Sequence, residues 1–332
     1  MQSSPPTVAV CIPTYNQAQY LRLAVESICQ QTYPNLEVWV SDDASTDDTQ
    51  DVMAQLCQQY QQVHYYRQPK NLGIAGNNSW LLRQPQTDYI IRLDSDDLLL
   101  PDYVTTLLAL LEKYPDAGYA HAAVQEIDQF GNQRGIRRVH RSHEYHDGDT
   151  ALKASVTGYR VAANICMFRA PVLRELNFYE GRPDFAEDYD LSVRIADAGY
   201  GNVYSPKILS CYRVWTDAQG TRPRRKGLEI RGLIRTFEET MIPAFQRRGW
   251  NTQPIWRSRR SLALNHAASC YEPWFTSQEK AELTRLLLEL GDCLELRLRL
   301  QAIQLGLGPL FSQIHRINLT MKGIVKGVLA RA

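Results

Sequence analysis

Val8-Ala9-Val10-Cys11-Ile12-Pro13-Thr14-Tyr15-Asn16 is the stretch that decides the fold. Its five consecutive apolar residues, three of them β-branched, make a strand buried on both faces, and Pro13 closes it. Beyond Ala18 the period becomes helical. Leu21, Val25 and Ile28 share one face until Tyr33-Pro34-Asn35 breaks the helix, and Leu36 to Val40 is a second strand. The result is one β-α-β unit.

Working outward, Ser41-Asp42-Asp43-Ala44 follows the second strand. Ser45 with Asp48 three residues on reads as a capping box that opens a helix carrying Val52, Leu56 and Tyr60. Val63 to Tyr66 is a third strand. A helix around Asn77 to Leu82 follows Gly73, and Tyr89-Ile90-Ile91-Arg92-Leu93 is a fourth strand ending at Asp94. Pro101 suits the first turn of a helix with Val104, Leu107, Leu108 and Leu111 on one face, ended by Pro115 and Gly118. Gly118 to Tyr145 is strand-like and irregular, with a turn at Phe130-Gly131-Asn132 and a basic stretch of Arg134, Arg137, Arg138 and Arg141. Ile165 to Phe168 predicts a strand, Asp188 to Ala196 a helix stopped by Gly199, and Ile208 to Val214 the last strand. Alternation of this kind predicts an α/β fold, a Rossmann-like and mostly parallel sheet with helices on both faces. From Leu228 the strands give way to Leu- and Arg-rich helical patterns. The expected organisation is an α/β domain over 1–215, a basic connector or mobile loop over 216–227, and a helical C-terminal region over 228–332.

Composition narrows the function. The 332 residues are 44% hydrophobic and 22% charged, ordinary for a globular protein. Lys and Arg total 37 against 36 Asp and Glu, so a net charge of +1 gives no overall reason to expect nucleic-acid binding. The seven cysteines are odd in number, scattered and without a Cys-x-x-Cys pair, which fits reduced, buried thiols in a cytoplasmic protein. Met1 to Thr7 has no apolar leader core, and nowhere does an apolar run reach the roughly 18 residues of a spanning helix. Any membrane contact is therefore expected to be peripheral. The tail Met321 to Ala332, with Lys322, Lys326 and Arg331 among apolar residues, reads either as a surface-lying segment or as a packed terminal helix.

In open α/β sheets ligands bind beyond the carboxyl ends of the strands. Pro13-Thr14-Tyr15-Asn16, Asp42-Asp43 and Asp94-Ser95-Asp96-Asp97 all follow strands and point polar groups into one crevice. Three carboxylates at Asp94, Asp96 and Asp97 would repel unless a cation or hydrogen-bond donors neutralise them. Hard oxygens select Mg²⁺ or Mn²⁺, which usually share coordination with substrate phosphates. The other reading is a solvated acidic turn capping the helix at Pro101. No Gly-x-Gly-x-x-Gly follows the first strand, no Walker-type Gly-Lys-Ser/Thr occurs, and no Gly-x-Ser-x-Gly elbow is present, which removes the main support for dehydrogenase, nucleotide-hydrolase and serine-hydrolase chemistry. Glu187-Asp188 opens a later helix, where a lone Asp is often only a cap. His121 lies in an apolar stretch and reads as a core or strand-edge residue.

Taken in order, Pro13-Thr14-Tyr15-Asn16, Ser41 to Asp47, Asn71-Leu72-Gly73 with Asn77, Asp94-Ser95-Asp96-Asp97 and Glu187-Asp188-Tyr189-Asp190-Leu191 resemble the family-2 inverting glycosyltransferases of the GT-A fold, over roughly Val8 to Trp215. The resemblance implies that Pro13, Thr14, Tyr15 and Asp43 hold the nucleotide of a UDP- or dTDP-sugar, with Asp43 accepting from the base imide. It implies close approach of the nucleotide to Asn71 and Gly73. Asp94 and Asp96 resemble the Asp-x-Asp pair, Asp96 on a Mn²⁺ or Mg²⁺ ion and Asp94 nearer the ribose or a metal-bound water; Ser95 adjoins them and Asp97 faces the donor sugar. Asp188 matches the base that deprotonates the acceptor hydroxyl, and Glu187 orients it. Relatives of this kind often carry a His after a segment like Tyr212-Arg213-Val214, where this chain has Trp215. Arg222, Arg224 or Arg225 would then fold over the diphosphate in its place. The implied function is sugar transfer to a saccharide or lipid-linked acceptor in surface polysaccharide synthesis. Two alternatives stand beside it: a catalytically silent sugar-nucleotide or glycan binder of the same fold, and a metal-dependent sugar-nucleotide pyrophosphorylase or phosphohydrolase.

Overall fold

A computed structural model describes residues 4–182, 184–214, 225–272 and 274–307. The chain divides into two compact units, Met1–Thr216 and Asp217–Ala332. The first is built, in chain order, from β1 (Val8–Thr14), α1 (Ala18–Cys29), β2 (Leu36–Asp42), α2 (Thr49–Gln59), β3 (Val63–Arg67), α3 (Gly73–Leu81), β4 (Tyr89–Arg92), β5 (Leu98–Leu99), α4 (Tyr103–Lys113), β6 (Ala117–Ile127), β7 (Gln133–Arg137), β8 (Tyr145–His146), α5 (Gly148–Ser155), β9 (Cys166–Arg169), α6 (Ala170–Glu175), α7 (Glu187–Asp197) and β10 (Gly201–Arg213).

One sheet runs through this unit in the order β3-β2-β1-β4-β9-β6-β10-β5. It is parallel from β3 to β4 and again between β6 and β10. Between these stretches β9 runs antiparallel to both neighbours, so the sheet is mixed. The period-2 alternation of β1 divides its side chains between two cores. Val8, Val10 and Ile12 pack with Leu21, Val25 and Ile28 of α1 and Leu107 and Leu111 of α4. Cys11 faces the other way, with Ile90, Cys166, Leu173, Leu191 and Ile195. Each Val, Leu or Ile among them contributes roughly 1.5–3 kcal/mol on full burial. All seven cysteines are free thiols.

Several local expectations need correction. The helix after Asp43 starts at Thr49, not at Ser45, because Ala44 adopts φ 62° and turns the chain first. Asp47 then accepts from the Thr49 N–H at 3.2 Å. Ser45 instead ties two loops together. Gly118 does not end a helix; it lies within β6, where a Cβ would sit 2.7 Å from Ile195 Cγ2, so its bare backbone lets α7 approach the sheet. Pro101 precedes α4 by two residues.

The second unit is helical: α8 (Lys226–Arg235), a π-helical turn (Thr236–Met241), α9 (Ile242–Arg247), α10 (Gln253–His266), a 3₁₀ turn (Ala267–Tyr271), α11 (Ser277–Gly291) and α12 (Leu294–Gln304). A capping box between Thr276 and Glu279 opens α11. Gly291 abuts the backbone of Arg259, whose buried guanidinium donates to the Leu290 and Glu289 carbonyls at 2.7 and 2.9 Å and to Glu238 at 2.8 Å. Lys226 and Gly227, assigned above to the connector, are already helical. Trp215, Arg222 and Arg224 lie outside the described residues, as does the tail Met321 to Ala332. Among the described residues no helix is long and apolar enough to cross a membrane.

Candidate active site

The loops after β1 and β2 are fastened to each other. The Asn16 N–H donates to Ser45 Oγ at 2.9 Å, Thr46 N–H donates to Asn16 Oδ1 at 2.8 Å, and Asp43 N–H donates to the Thr14 carbonyl at 2.9 Å. Thr14 is buried beside Pro13, whereas Tyr15 stands exposed at the rim. Asp42 is wholly buried and serves the scaffold, accepting from Ser45 N–H at 2.8 Å and Tyr65 Oη at 2.9 Å, with Arg67 at 3.4 Å. Asp43 instead reaches the third loop. Its Oδ1 accepts from Leu72 N–H at 2.6 Å, and its carbonyl accepts from Asn71 Nδ2 at 3.1 Å. Asn71 Oδ1 takes the Gly73 N–H at 3.0 Å, and Gly73 turns the chain at φ 75°, a region that favours glycine. Burial raises the Asp43 carboxyl above its ordinary pKa, the Asp42 charge adds to this, and the Leu72 and Gly73 amides oppose it. Asn77 is buried as a fastener between α3 and β2, accepting from Ser41 Oγ at 2.6 Å and donating to the Ser41 carbonyl at 3.0 Å.

Arg92, unassigned in the reading of the sequence, organises the next part of the crevice. It lies in β4 opposite Cys11 of β1 and Cys166 of β9, on the face that α7 covers. Its Nη2 donates to Asp94 Oδ1 at 2.6 Å, and its Nη1 to Asp188 Oδ1 and Oδ2 at 3.1 and 3.3 Å. Tyr179 Oη donates to the same Asp188 Oδ1 at 2.6 Å. One guanidinium thus joins the end of β4 to the first turn of α7, 96 residues later. Burial opposes its charge, but Asp94 and Asp188 outweigh that and hold its pKa well above the ordinary value. The signal in the sequence was a single charge inside an apolar strand.

The acidic turn is not four equivalent side chains. Asp97 is buried, its Oδ1 accepting from the Arg213 N–H at 2.8 Å while its Oδ2 has no hydrogen-bond partner among the described residues. Burial, then the Asp96 and Asp94 charges, push its carboxyl well above the usual range. Arg213 also donates from Nε to the Asp96 carbonyl at 2.8 Å and from Nη1 to the Asp128 carbonyl at 2.7 Å, and its guanidinium lies 4.5 Å from the centre of the Tyr20 ring. The turn is therefore pinned to the end of β10. Ser95 is buried with Oγ 3.4 Å from Gln17 Oε1. His121 is buried and neutral, pushed down to about 3 by burial and by Arg141, which fits a core role.

Glu187, the first residue of α7, is half-buried, and burial raises its carboxyl to about 7, with Asp188 adding and the Arg182 amide opposing. Between its ordinary 4.5 and about 7 the native protein holds a proton that the unfolded chain has released, so stability falls as pH rises through that window. Glu187→Gln removes the charge. It is expected to melt above the native protein at pH 8 and together with it at pH 4; equal melting at both would contradict the buried charge.

Among the described residues no three His, Cys, Asp or Glu side chains form a ready-made metal cage. What the turn supplies is two hard carboxylates, Asp94 and Asp96, while Asp97 is turned inward. That donor set fits a divalent ion that takes its remaining ligands from diphosphate and water.

The match of the glycosyl transferase family 2 model to residues 9–176 spans β1 to α6 and so includes the Asp43 loop, Arg92 and the acidic turn. Chondroitin synthase of Escherichia coli is 31% identical over 199 residues, covering 58% of this chain and 27% of that protein. The putative glycosyltransferase EpsE of Bacillus subtilis (strain 168) is 28% identical over 239 residues, covering 71% of this chain and 82% of that one. In structure the chain is similar to residues 1–349 of S. aureus TarS in complex with UDP-GlcNAc, with TM-score 0.64 and 15% identity over 86% of this chain and 80% of that one. The spacing of the acidic loops, the sheet that brings them together and the family match across half the chain lead to one assignment: the chain belongs to glycosyl transferase family 2 and has the GT-A fold.

Proposed function

We propose that the chain transfers a sugar, with inversion, from a UDP- or dTDP-sugar to a hydroxyl of a saccharide or lipid-linked acceptor in polysaccharide synthesis, and that transfer depends on Mn²⁺ or Mg²⁺. The observation that carries this reading is the bridge Asp94–Arg92–Asp188, which sets a carboxylate of the acidic turn and a second carboxylate on one crevice. The name of EpsE supports sugar transfer, and the UDP-GlcNAc complex of the structurally similar TarS supports a nucleotide-sugar donor.

The residues then divide the work. Pro13, Thr14 and Tyr15 with Asp43 and the Asn71–Gly73 turn form the nucleotide end, and the Asp43 carboxylate, held by the Leu72 N–H at Oδ1, would accept from a base imide. Asp96 and Asp94 would hold the cation, which when bound would supply positive charge to offset that growing on the departing diphosphate. Ser95 and Asp97 shape the donor-sugar side, Asp97 through its bond to Arg213. Asp188, oriented by Tyr179 and Arg92, takes the proton of the acceptor hydroxyl as its oxygen attacks the anomeric carbon from the face opposite the diphosphate. Glu187 supports the position of Asp188 at the start of α7.

Calorimetric binding of UDP- and dTDP-sugars with and without Mn²⁺ tests the donor half. Native protein is expected to bind one donor at least tenfold more tightly with the ion, and Asp96→Ala to lose that dependence. Equal, metal-independent binding by both proteins would overturn the assignment of Asp96.

A further inference from the structure

On the face of the sheet that carries Asp188, a cavity of about 200 Å³ lies between α5, α7 and the segment leading to β8, lined among others by Arg141, His146, Ser155, Arg160, Ser192 and Asn202. It is smaller than the roughly 300–1,000 Å³ of pockets that enclose drug-sized ligands, so it suits one sugar ring or one phosphate better than a nucleotide. Its charge is unbalanced. Arg141 donates to the His143 carbonyl at 2.7 Å, Asn202 Oδ1 at 2.6 Å, the Glu144 carbonyl at 2.7 Å and the Asn202 carbonyl at 3.2 Å, all neutral acceptors. Among the described residues neither Arg141 nor Arg160 has a carboxylate within ion-pair distance. The acids nearby are used elsewhere: Glu144 pairs with Lys113 at 2.7 Å, and Asp147 caps α5 by accepting from Thr150 N–H at 2.7 Å. Burial pushes Arg141 down to about 10, with the Arg160 charge acting in the same direction, and His146 is lowered by burial and by Arg141. Four hydrogen bonds to neutral oxygens hold the Arg141 guanidinium in place, and it lines the same small cavity as Arg160, so the pair presents positive charge that no carboxylate balances and that an oxyanion would.

The cavity also adjoins the catalytic face. Ser192 follows Asp188 by four residues on α7, one helical turn or about 6 Å along the axis and on the same side of the helix. Ser155 accepts from Tyr189 Oη at 2.7 Å, so α5 is fastened to the residue after Asp188. We propose that this cavity is an acceptor subsite in which Arg141 and Arg160 hold an anionic group, a uronate carboxylate or a phosphodiester, of the saccharide whose hydroxyl Asp188 deprotonates. The placement relative to the reaction rests on Asp188 being the base; the anion site itself does not.

Ligand-observed NMR titration with methyl β-glucuronide, inorganic phosphate and the neutral methyl β-glucoside tests it. Native protein is expected to bind at least one of the two anions and not the glucoside. The stronger anion identifies the source, carboxylate or phosphate. Arg160 is exposed and unpaired among the described residues, so Arg160→Ala should keep the native melting point and bind that anion at least tenfold more weakly. In turnover the anion should compete with acceptor and not with donor. Unchanged anion affinity in Arg160→Ala, glucoside binding equal to that of the anions, or competition against donor alone would each overturn the proposal. Asp188→Asn should bind the anion normally, so a failure of the base leaves the cavity standing and a failure of the cavity leaves the base standing.

Discussion

Asp188→Asn is expected to keep donor affinity within about twofold of native and to lower turnover by roughly 10²–10⁴-fold, the range that general-base catalysis supplies. The substitution preserves volume and an oxygen for Tyr179 or Arg92, the two groups that bond the carboxylate. What it removes is the capacity to take a proton. Donor binding measured by calorimetry and turnover measured as diphosphate release separate the two effects, because a base at Asp188 would act on the acceptor and not on the nucleotide. Native-like turnover would remove Asp188 from the chemistry.

Arg92→Met is the second large effect. Removing one partner from a buried ion pair costs about 3–5 kcal/mol, because the charge left behind is uncompensated. Here Asp94 and Asp188 retain 34% and 22% side-chain exposure, so water screens part of the loss and about 2–3 kcal/mol is the expected destabilisation. For a domain of this size that is a fall of roughly 4–12 °C in Tm. Turnover should fall as well, since the acidic turn and the first turn of α7 lose their common partner. Combined with Asp188→Asn, the loss in turnover should be less than the sum of the two single effects, because the two substitutions share the Arg92–Asp188 contact. A fully additive double variant, or an Arg92→Met protein that melts and turns over like native, would show that the bridge has no part in function.

Much of this was readable along the chain. Contiguous apolar runs such as Val8 to Ile12 and Tyr89 to Leu93 announce strands covered on both faces, and Leu21, Val25 and Ile28 announce the helix between the first two. The loops that end those strands contain the acidic groups of the crevice. Direction was harder. The four residues of β9 have no pattern that separates parallel from antiparallel, and their orientation follows from the route taken through β7, β8 and α5. The candidate site divided in the same way. Local motifs single out Asp43, Asp94 and Asp188 as candidates, but the contacts that hold the carboxyls come from remote positions: Leu72 for Asp43, Arg92 for Asp188 and the Arg213 amide for Asp97. Asp97 looks like an equal member of the acidic turn until that amide turns it inward.

The measurement that reaches the central claim most directly is the anomeric configuration of the first-formed product, read by NMR from coupling across the new linkage for the donor that the binding screen identifies. Attack by an Asp188-activated hydroxyl from the face opposite the diphosphate predicts a configuration inverted from that of the donor. Retention of the donor's configuration would contradict a single displacement with Asp188 as base.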